Sequence, residues 1–290
     1  MTAAGNICAP KPAPGTVRRI LRDAGRQADE DIDIGAAALA LASLRRPATP
    51  LAPYQRHLDK LTEDVAAYVA GTKDAPSLAL RHEALVQVIH RRHGYGGTEE
   101  SFDDVEAANL MRVIDRRAGL PVALGILYLH VAAKLGWPAS GIDFPGRFVL
   151  RLETGEGRII FDAFEGGREV SAPELRHLLK QMVGPDAELA PAHYREAGPR
   201  AVLLRLQNNI KARHLDANQI GKAIKILETM VLFAPDNASC WRERGVLLAR
   251  QGDIAEAVVC LEECLRLGGS EQDRYATSAL LQELRPRLDG

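Results

Sequence analysis

Cysteine is scarce in this chain, and its charges almost balance. The 290 residues include four cysteines, Cys8, Cys240, Cys260 and Cys264, whose spacing matches no disulfide framework; this predicts a reducing, cytoplasmic environment. Cys260 and Cys264 would share one helix face, but no histidine pair follows at metal-site spacing, so we interpret them as buried structural thiols. The net charge of −1 lacks the basic excess typical of nucleic-acid or membrane-binding proteins. We therefore expect no metal, no nucleic acid and no membrane partner.

The chain also lacks a recognisable signal peptide or membrane span. Residues 1–10 contain no charged region followed by an apolar run. The most apolar segment, residues 120–135, is only 16 residues long and is interrupted by His130 and Lys134, so it is too short and too polar to span a bilayer. We expect a helix buried on all sides of a soluble domain, beginning at Pro121 and ending before Gly136.

Apolar periodicity divides the rest of the chain into helical and extended regions. Spacings of three and four predict helices in the first third, the last of them over residues 104–116. Alternation at period two over residues 142–153 and 158–162, around a turn, predicts an antiparallel hairpin. Ser171 and Glu174 have the spacing of a helix capping box. Helices followed by a hairpin predict an α+β fold with a small antiparallel sheet.

The C-terminal part repeats at an interval of 34 residues. This shift pairs Ala223 with Ala257 and Leu227 with Leu261, and Pro235 ends the first copy, as in the tetratricopeptide pattern. We expect an all-α tail of two repeats and a capping helix. Because an independent solenoid needs about three repeats, we expect the tail to be stabilised by packing against the preceding domain.

These patterns predict four segments. Residues 1–29 are expected to form a flexible leader and a short helix, and residues 30–184 the α+β core. Residues 185–198 are rich in proline and polar residues and are expected to be a linker. Residues 199–290 are expected to form the helical repeats.

Three short motifs carry a resemblance to a known family. They are RRAGLP at residues 116–121, FPGRF at residues 144–148 and FDAFEGG at residues 161–167. Together with the repeats, they resemble the bacterial SirB-like family, over about residues 30–290. That family joins a transglutaminase-like core to a repeat tail. The resemblance implies a papain-like α+β core whose central helix packs against an antiparallel sheet.

The resemblance also implies three catalytic positions, and at two of them this chain has a residue of another type. An active core needs a Cys at the start of the central helix, a His on the next strand and an Asp on the strand after it. The Cys place falls at about Pro121 to Ala123. The His place is Arg147, which cannot accept a proton at neutral pH. Only Asp162 keeps its type. The family commonly has His where this chain has Arg147, and it lacks the Cys.

Each candidate residue has a structural interpretation and a functional one. In the structural interpretation, Arg147 and Asp162 form an ion pair in a cleft that has lost its catalytic function. In the functional interpretation, Arg147 binds a carboxylate or the C-terminus of a peptide. Arg116 and Arg117 form a solvated or ion-paired helix end, or instead line the mouth of the cleft. His90 and His93 have no third ligand nearby, so we do not expect a metal site there.

Two main functions follow as hypotheses. The first is a pseudoenzyme: a non-catalytic module that binds a protein or peptide through its cleft or its repeats. The alternative is a hydrolase or transferase of papain-like fold that uses Asp162, Asp143 or Glu165 as acid or base. A weaker third option is a scaffold in which the repeats drive self-association. No cofactor is expected, and the oligomeric state is left open.

Overall fold

The computed structural model describes residues 14–72, 74–102 and 104–287. The chain forms two compact units, one of residues 1–20 and 28–203 and the other of residues 21–27 and 204–290. Most of the expected leader, residues 1–13, lies outside the described part. Its remainder contains a helix over Pro14–Arg26, in which Val17, Leu21 and Ala24 are buried; a short helix is expected there.

The first seven α-helices of the described residues begin in the first unit. They are α1 (Pro14–Arg26), α2 (Ile34–Arg45), α3 (Ala52–Val69), α4 (Leu78–Leu85), α5 (Leu110–Arg116), α6 (Pro121–Lys134) and α7 (Ala172–Val183). A π-helix over Val86–Arg92 continues α4, and short 3-10 helices lie at Asp29–Asp31, Glu99–Phe102, Val105–Ala108 and Pro191–Tyr194.

The helix expected over residues 104–116 is broken at Asn109. This residue is extended, with φ −93° and ψ 111°, and its side chain accepts hydrogen bonds from the N–H groups of Met111 and Arg112. Its amide also donates to Ala42 O at 3.1 Å. Because the Asn109 side chain caps α5, the preceding residues form a separate 3-10 helix, Val105–Ala108.

The five strands form one antiparallel sheet in the order β4-β3-β2-β1-β5. They are β1 (Ala139–Phe144), β2 (Arg147–Thr154), β3 (Gly157–Asp162), β4 (Arg168–Glu169) and β5 (Glu196–Ala197). The predicted hairpin is present as β2 and β3, with Leu150 opposite Phe161. The segment predicted as a linker, residues 185–198, contributes β5, which pairs with β1. It is therefore part of the core, because its backbone completes an edge of the sheet.

The central helix α6 is buried between other helices and the sheet, as predicted. Every residue from Val122 to Ala132 is buried. A Cβ atom at Gly125 would lie 2.6 Å from the Phe148 ring, so only glycine lets α6 approach β2 this closely. The next residue of β2, Val149, points to the other face and joins a core cluster with Leu175 and Leu179 of α7. The sheet thus lies between α6 and α7.

The second unit is the helical tail, confirming the predicted architecture. It contains α9 (Ile220–Phe233), α10 (Ala238–Gln251), α11 (Ile254–Leu267), α12 (Glu271–Leu284) and most of α8 (Pro199–Asp216). A Cβ atom at Gly245 would lie 2.7 Å from Leu261 Cγ, which shows how closely α10 and α11 pack. The end of α1 also belongs to this unit, where Gly25 contacts the backbone of Leu232.

None of the helices in the described ranges is long and apolar enough to cross a membrane.

Candidate functional site

The start of α6 offers no nucleophile. Its N-cap residue, Leu120, is extended and makes no side-chain cap, and Pro121 occupies the first turn. Val122 and Ala123, which follow, are buried. Among the described residues, the cysteines are Cys240, Cys260 and Cys264, all buried and all in the second unit. The helix end that would activate a thiol therefore carries none in this unit's described part.

Arg147 and Asp162 form the ion pair expected from the sequence. Arg147 begins β2 and Asp162 ends β3, and Arg147 Nε donates to Asp162 Oδ2. The other carboxylate oxygen, Oδ1, accepts from the N–H groups of Phe164 at 2.7 Å and Glu165 at 3.4 Å. Asp162 is fully buried. Both of its oxygens are thus held by fixed donors, in an environment closed to water.

The ion pair extends into a chain of charges along the turn after β3. Arg147 Nη2 donates to Glu165 Oε1, while Arg168 donates to Glu165 Oε2 at 2.6 Å and to Glu174 at 2.5 Å. Burial opposes ionisation of Glu165, but hydrogen bonds from Arg147 and Arg168 outweigh it and hold the pKa of Glu165 below its usual value. Glu165 is therefore an ionised partner of two arginines at neutral pH.

Asp143, the third carboxylate considered as an acid or base, lies away from this chain of charges. It is exposed on β1, opposite Phe148. Because β2 separates β1 from β3, Asp143 is two strands from Asp162. The three candidate carboxylates therefore do not form one site.

A cleft of about 410 Å³ opens beside the same turn. It is lined by residues of α4, the π-helix and the turn after β3: His82, Glu83, Val86, Gln87, His90, Arg91, Glu165, Gly166, Gly167, Arg168 and Glu169. Gly166 and Gly167 have φ of +68° and +84°. A Cβ at Gly166 would lie 2.6 Å from the His90 ring. Left-handed glycines thus bring the turn against the π-helix.

Both histidines of the cleft are held by backbone carbonyls. His82 Nε2 donates to Gly167 O at 2.8 Å, and His90 Nδ1 donates to Tyr95 O at 2.7 Å. His93, the other member of the sequence pair, contacts Asp64 through Nε2 at 2.8 Å. His90 and His93 therefore have separate structural partners.

Tyr128 is a buried polar residue that sequence reasoning did not single out. Its hydroxyl has no hydrogen-bond partner within the described part of the chain. Its oxygen would lie 3.5 Å from a Cβ at Gly167. Burial, and then the charge of Asp162, raises the pKa of Tyr128 well above its usual range. The phenol therefore stays protonated. Because Tyr128 lies in an almost entirely apolar stretch of the sequence, no pattern in the sequence indicates that it is close to Asp162.

A second group of polar residues surrounds Arg117, at the end of α5. Arg117 adopts the left-handed conformation, with φ 60° and ψ 16°. Its Nη1 donates to His57 Nε2 at 2.7 Å and to the Tyr95 hydroxyl, and its guanidinium lies 4.7 Å from the centroid of the Tyr95 ring. Because Nη1 is a donor, His57 Nε2 is an acceptor and the ring proton is on Nδ1. Sequence reasoning missed His57 and Tyr95, which lie 60 and 22 residues away from Arg117.

The two residues before Arg117 form ion pairs, whereas Arg117 bonds to uncharged groups. Its neighbour Arg116 pairs with Asp104 at 2.5 Å, and Asp115 pairs with Arg46 at 2.8 Å. Arg117 itself pairs with no carboxylate among the described residues, and it is not among the residues that line the cleft. It is a half-buried cation bonded to two uncharged groups.

The environment of His57 is electropositive. Burial, followed by the charges of Arg117 and His93, lowers the pKa of His57 to about 4. His57 is therefore neutral at physiological pH.

One short segment connects the Arg117 group to the turn after β3. Tyr95 O accepts from His90 in the wall of the cleft. Gly96 N donates to Arg117 O at 3.1 Å, and Gly97 N donates to Phe164 O at 2.8 Å. The backbone of residues 95–97 is therefore hydrogen-bonded both to Arg117 and to the turn after β3.

Comparison with known proteins gives two family matches. Residues 52–208 match the model of the transglutaminase-like superfamily, and residues 210–282 match a tetratricopeptide repeat model. A UPF0162 protein of Pseudomonas aeruginosa is 30% identical over 251 residues, which is 86% of this chain and 90% of that protein. One of Xylella fastidiosa is 27% identical over 243 residues, 82% and 85% of the two chains. Protein SirB1 of Salmonella typhimurium is 26% identical over 168 residues, 58% and 62% of the two chains. No solved structure matches.

Proposed function

Since the chain belongs to the SirB-like (UPF0162) family, with a transglutaminase-like core and a tetratricopeptide tail, we propose that it is a non-catalytic module that binds a protein or peptide. The observation that carries this proposal is the closed Arg147–Asp162 pair. A triad needs an acceptor where Arg147 has only donors. It also needs a nucleophile where α6 begins with Pro121.

The alternative, an enzyme that uses carboxylates, has less support. A catalytic acid or base works best when its pKa lies near the operating pH. The pKa of Glu165 is instead lowered by its two arginines. Asp162 is fully buried and bonded on both oxygens. Asp143 lies two strands away.

The tail supports the binding half of the proposal. Tetratricopeptide repeats stack antiparallel helices into surfaces that generally bind other proteins. Trp241 Nε1 donates to Pro235 O at 2.7 Å, which fixes the turn between α9 and α10. We propose that partner binding uses either the surface of this tail or the cleft region of the core, where Arg117 and the ion-paired Arg147 and Asp162 lie. The spacing of the cysteines supports a cytoplasmic location as part of the same proposal.

The proposal is tested by turnover and binding measured on the same full-length samples. Wild type, Asp162→Asn and Arg147→Lys are incubated with glutamine-containing peptides and with peptide esters, and products are measured by mass spectrometry. We expect no turnover by any of the three and saturable binding of wild type to members of a peptide array. Turnover by wild type that disappears in Asp162→Asn would overturn the proposal. Circular dichroism of each variant establishes that it is folded, so that a loss of turnover is not a loss of structure.

A further inference from the structure

Arg117 has unused hydrogen-bonding capacity. A guanidinium has five N–H donors in a planar fork, and in the described part of the chain only Nη1 of Arg117 is engaged. Its Nε and Nη2 are not fully buried, so both atoms keep some contact with solvent. Arg147, by contrast, uses Nε and Nη2 on two carboxylates. Among the described residues, Arg117 is thus a guanidinium held in place without a carboxylate partner.

The position of Arg117 is fixed before any ligand arrives. Its N–H donates to Val113 O at 2.8 Å and its carbonyl accepts from Gly96 N, so the left-handed backbone is held on both sides. The guanidinium lies over the ring of Tyr95, which is fully buried. A side chain held in this way loses little further conformational freedom when it binds. Non-glycine residues in this backbone region often occur at functional sites.

The carboxylates near Arg117 already have partners of their own. Asp64 contacts Lys60 at 2.9 Å and His93 at 2.8 Å. Asp115 contacts Arg46 at 2.8 Å and accepts from the Tyr54 hydroxyl at 3.0 Å. The nearer neighbours of Arg117, His57 and Tyr95, are uncharged at neutral pH. Burial first, and then the charges of Arg117 and His93, lower the pKa of His57.

We propose that the Nε–Nη2 edge of Arg117 binds a carboxylate of a partner peptide, an inference that rests on the proposed binding function. Two parallel N–H donors on one planar edge match the two oxygens of a carboxylate. A phosphate carries more negative charge than a carboxylate, and a single guanidinium balances that charge less completely. The carboxylate comes either from an Asp or Glu side chain or from a peptide C-terminus.

NMR titration of the full-length protein separates these sources. The probes are a peptide with a free C-terminus, an amidated peptide with one central Glu, its Gln counterpart, and inorganic phosphate. The signals of the Arg117 Nε–H and of the His57 ring are followed. We expect saturable shifts with at least one carboxylate peptide, and binding about tenfold or more tighter than that of the Gln peptide.

Three variants decide whether Arg117 is responsible. Arg117→Gln should abolish the shift of His57, and Arg117→Lys, which keeps the charge but loses the fork, should bind about tenfold more weakly than wild type. Arg116→Gln is the matched control and should bind like wild type. Circular dichroism establishes that each variant is folded. Equal binding by wild type and Arg117→Gln, or tighter binding of phosphate than of either carboxylate peptide, would overturn the inference.

The outcome for this site is distinguishable from that for the proposed function. If array peptides bind wild type and Arg117→Gln equally, the binding function stands and the carboxylate site is wrong. If neither an array peptide nor a carboxylate probe binds wild type, the proposed binding function is overturned and the carboxylate site with it.

Discussion

Asp162 and Glu165 accept hydrogen bonds from the same guanidinium but differ in exposure. Asp162 is fully buried, while the Glu165 side chain is 37% exposed. Charge pairs lose most of their strength in water, whereas a buried charge without its partner is costly. The two carboxylates therefore make unequal contributions to stability, although they share Arg147.

Neutralising each carboxylate measures this difference. Asp162→Asn places an amide donor or a neutral oxygen against Arg147, and we expect it to lower the free energy of unfolding by about 3–5 kcal/mol. Glu165→Gln should lower it by about 1 kcal/mol or less. Urea unfolding of the two variants and wild type is the measurement. Equal losses would show that the burial of Asp162 has no energetic consequence.

Burial and, after it, the charge of Arg117 lower the pKa of His57. His57 has a pKa of about 4, below its usual value of about 6.5. Its unfolded form therefore binds more protons between these values, so folding stability falls as the pH falls from about 6.5 to about 4. Arg117→Gln should raise the pKa of His57 and make this fall smaller. NMR titration of the His57 ring gives the pKa, and an unchanged value in Arg117→Gln would contradict the assigned cause.

At the scale of elements, predictions based on periodicity agree best with the structure. The α6 helix and the β2–β3 hairpin are present because apolar spacing directly reflects which faces are buried. The predictions that differ from the structure involve single side chains or distant partners. Asn109 divides a predicted helix by capping its second half. The two residues of β5 are too few for an alternating pattern, and they are extended because β1 offers a free edge.

Gly125 tests the close packing of α6 on β2. Alanine normally stabilises a helix relative to glycine by about 1 kcal/mol, but here its Cβ would overlap the Phe148 ring. Because overpacking costs about 1–3 kcal/mol, Gly125→Ala should be destabilising overall. Gly221→Ala in α9 is the control, since its Cβ meets only the flexible end of Gln251, at 3.3 Å, and it should be neutral or stabilising. Urea unfolding measures both, and a stabilised Gly125→Ala would refute the close packing.

At the scale of the whole molecule, the sequence predicts the order of the parts better than it predicts the candidate site. The Arg147–Asp162 pair follows from two adjacent strands and a known motif order. The ion pairs of Glu165 with Arg147 and Arg168 depend on the conformation of the turn after β3, which the sequence does not predict. The Arg117, His57 and Tyr95 group joins three separate helical or loop segments, and no local period connects residues 60 positions apart.

The central claim is that the molecule binds peptides and leaves them chemically unchanged. The most direct test captures peptides from a defined library on the immobilised full-length protein, releases them and measures their masses. We predict that the retained peptides are recovered with their original masses, and that Arg117→Gln retains fewer acidic peptides than wild type while Arg116→Gln does not. Recovery of hydrolysed, deamidated or cross-linked peptides from wild type, but not from Asp162→Asn, would contradict the account.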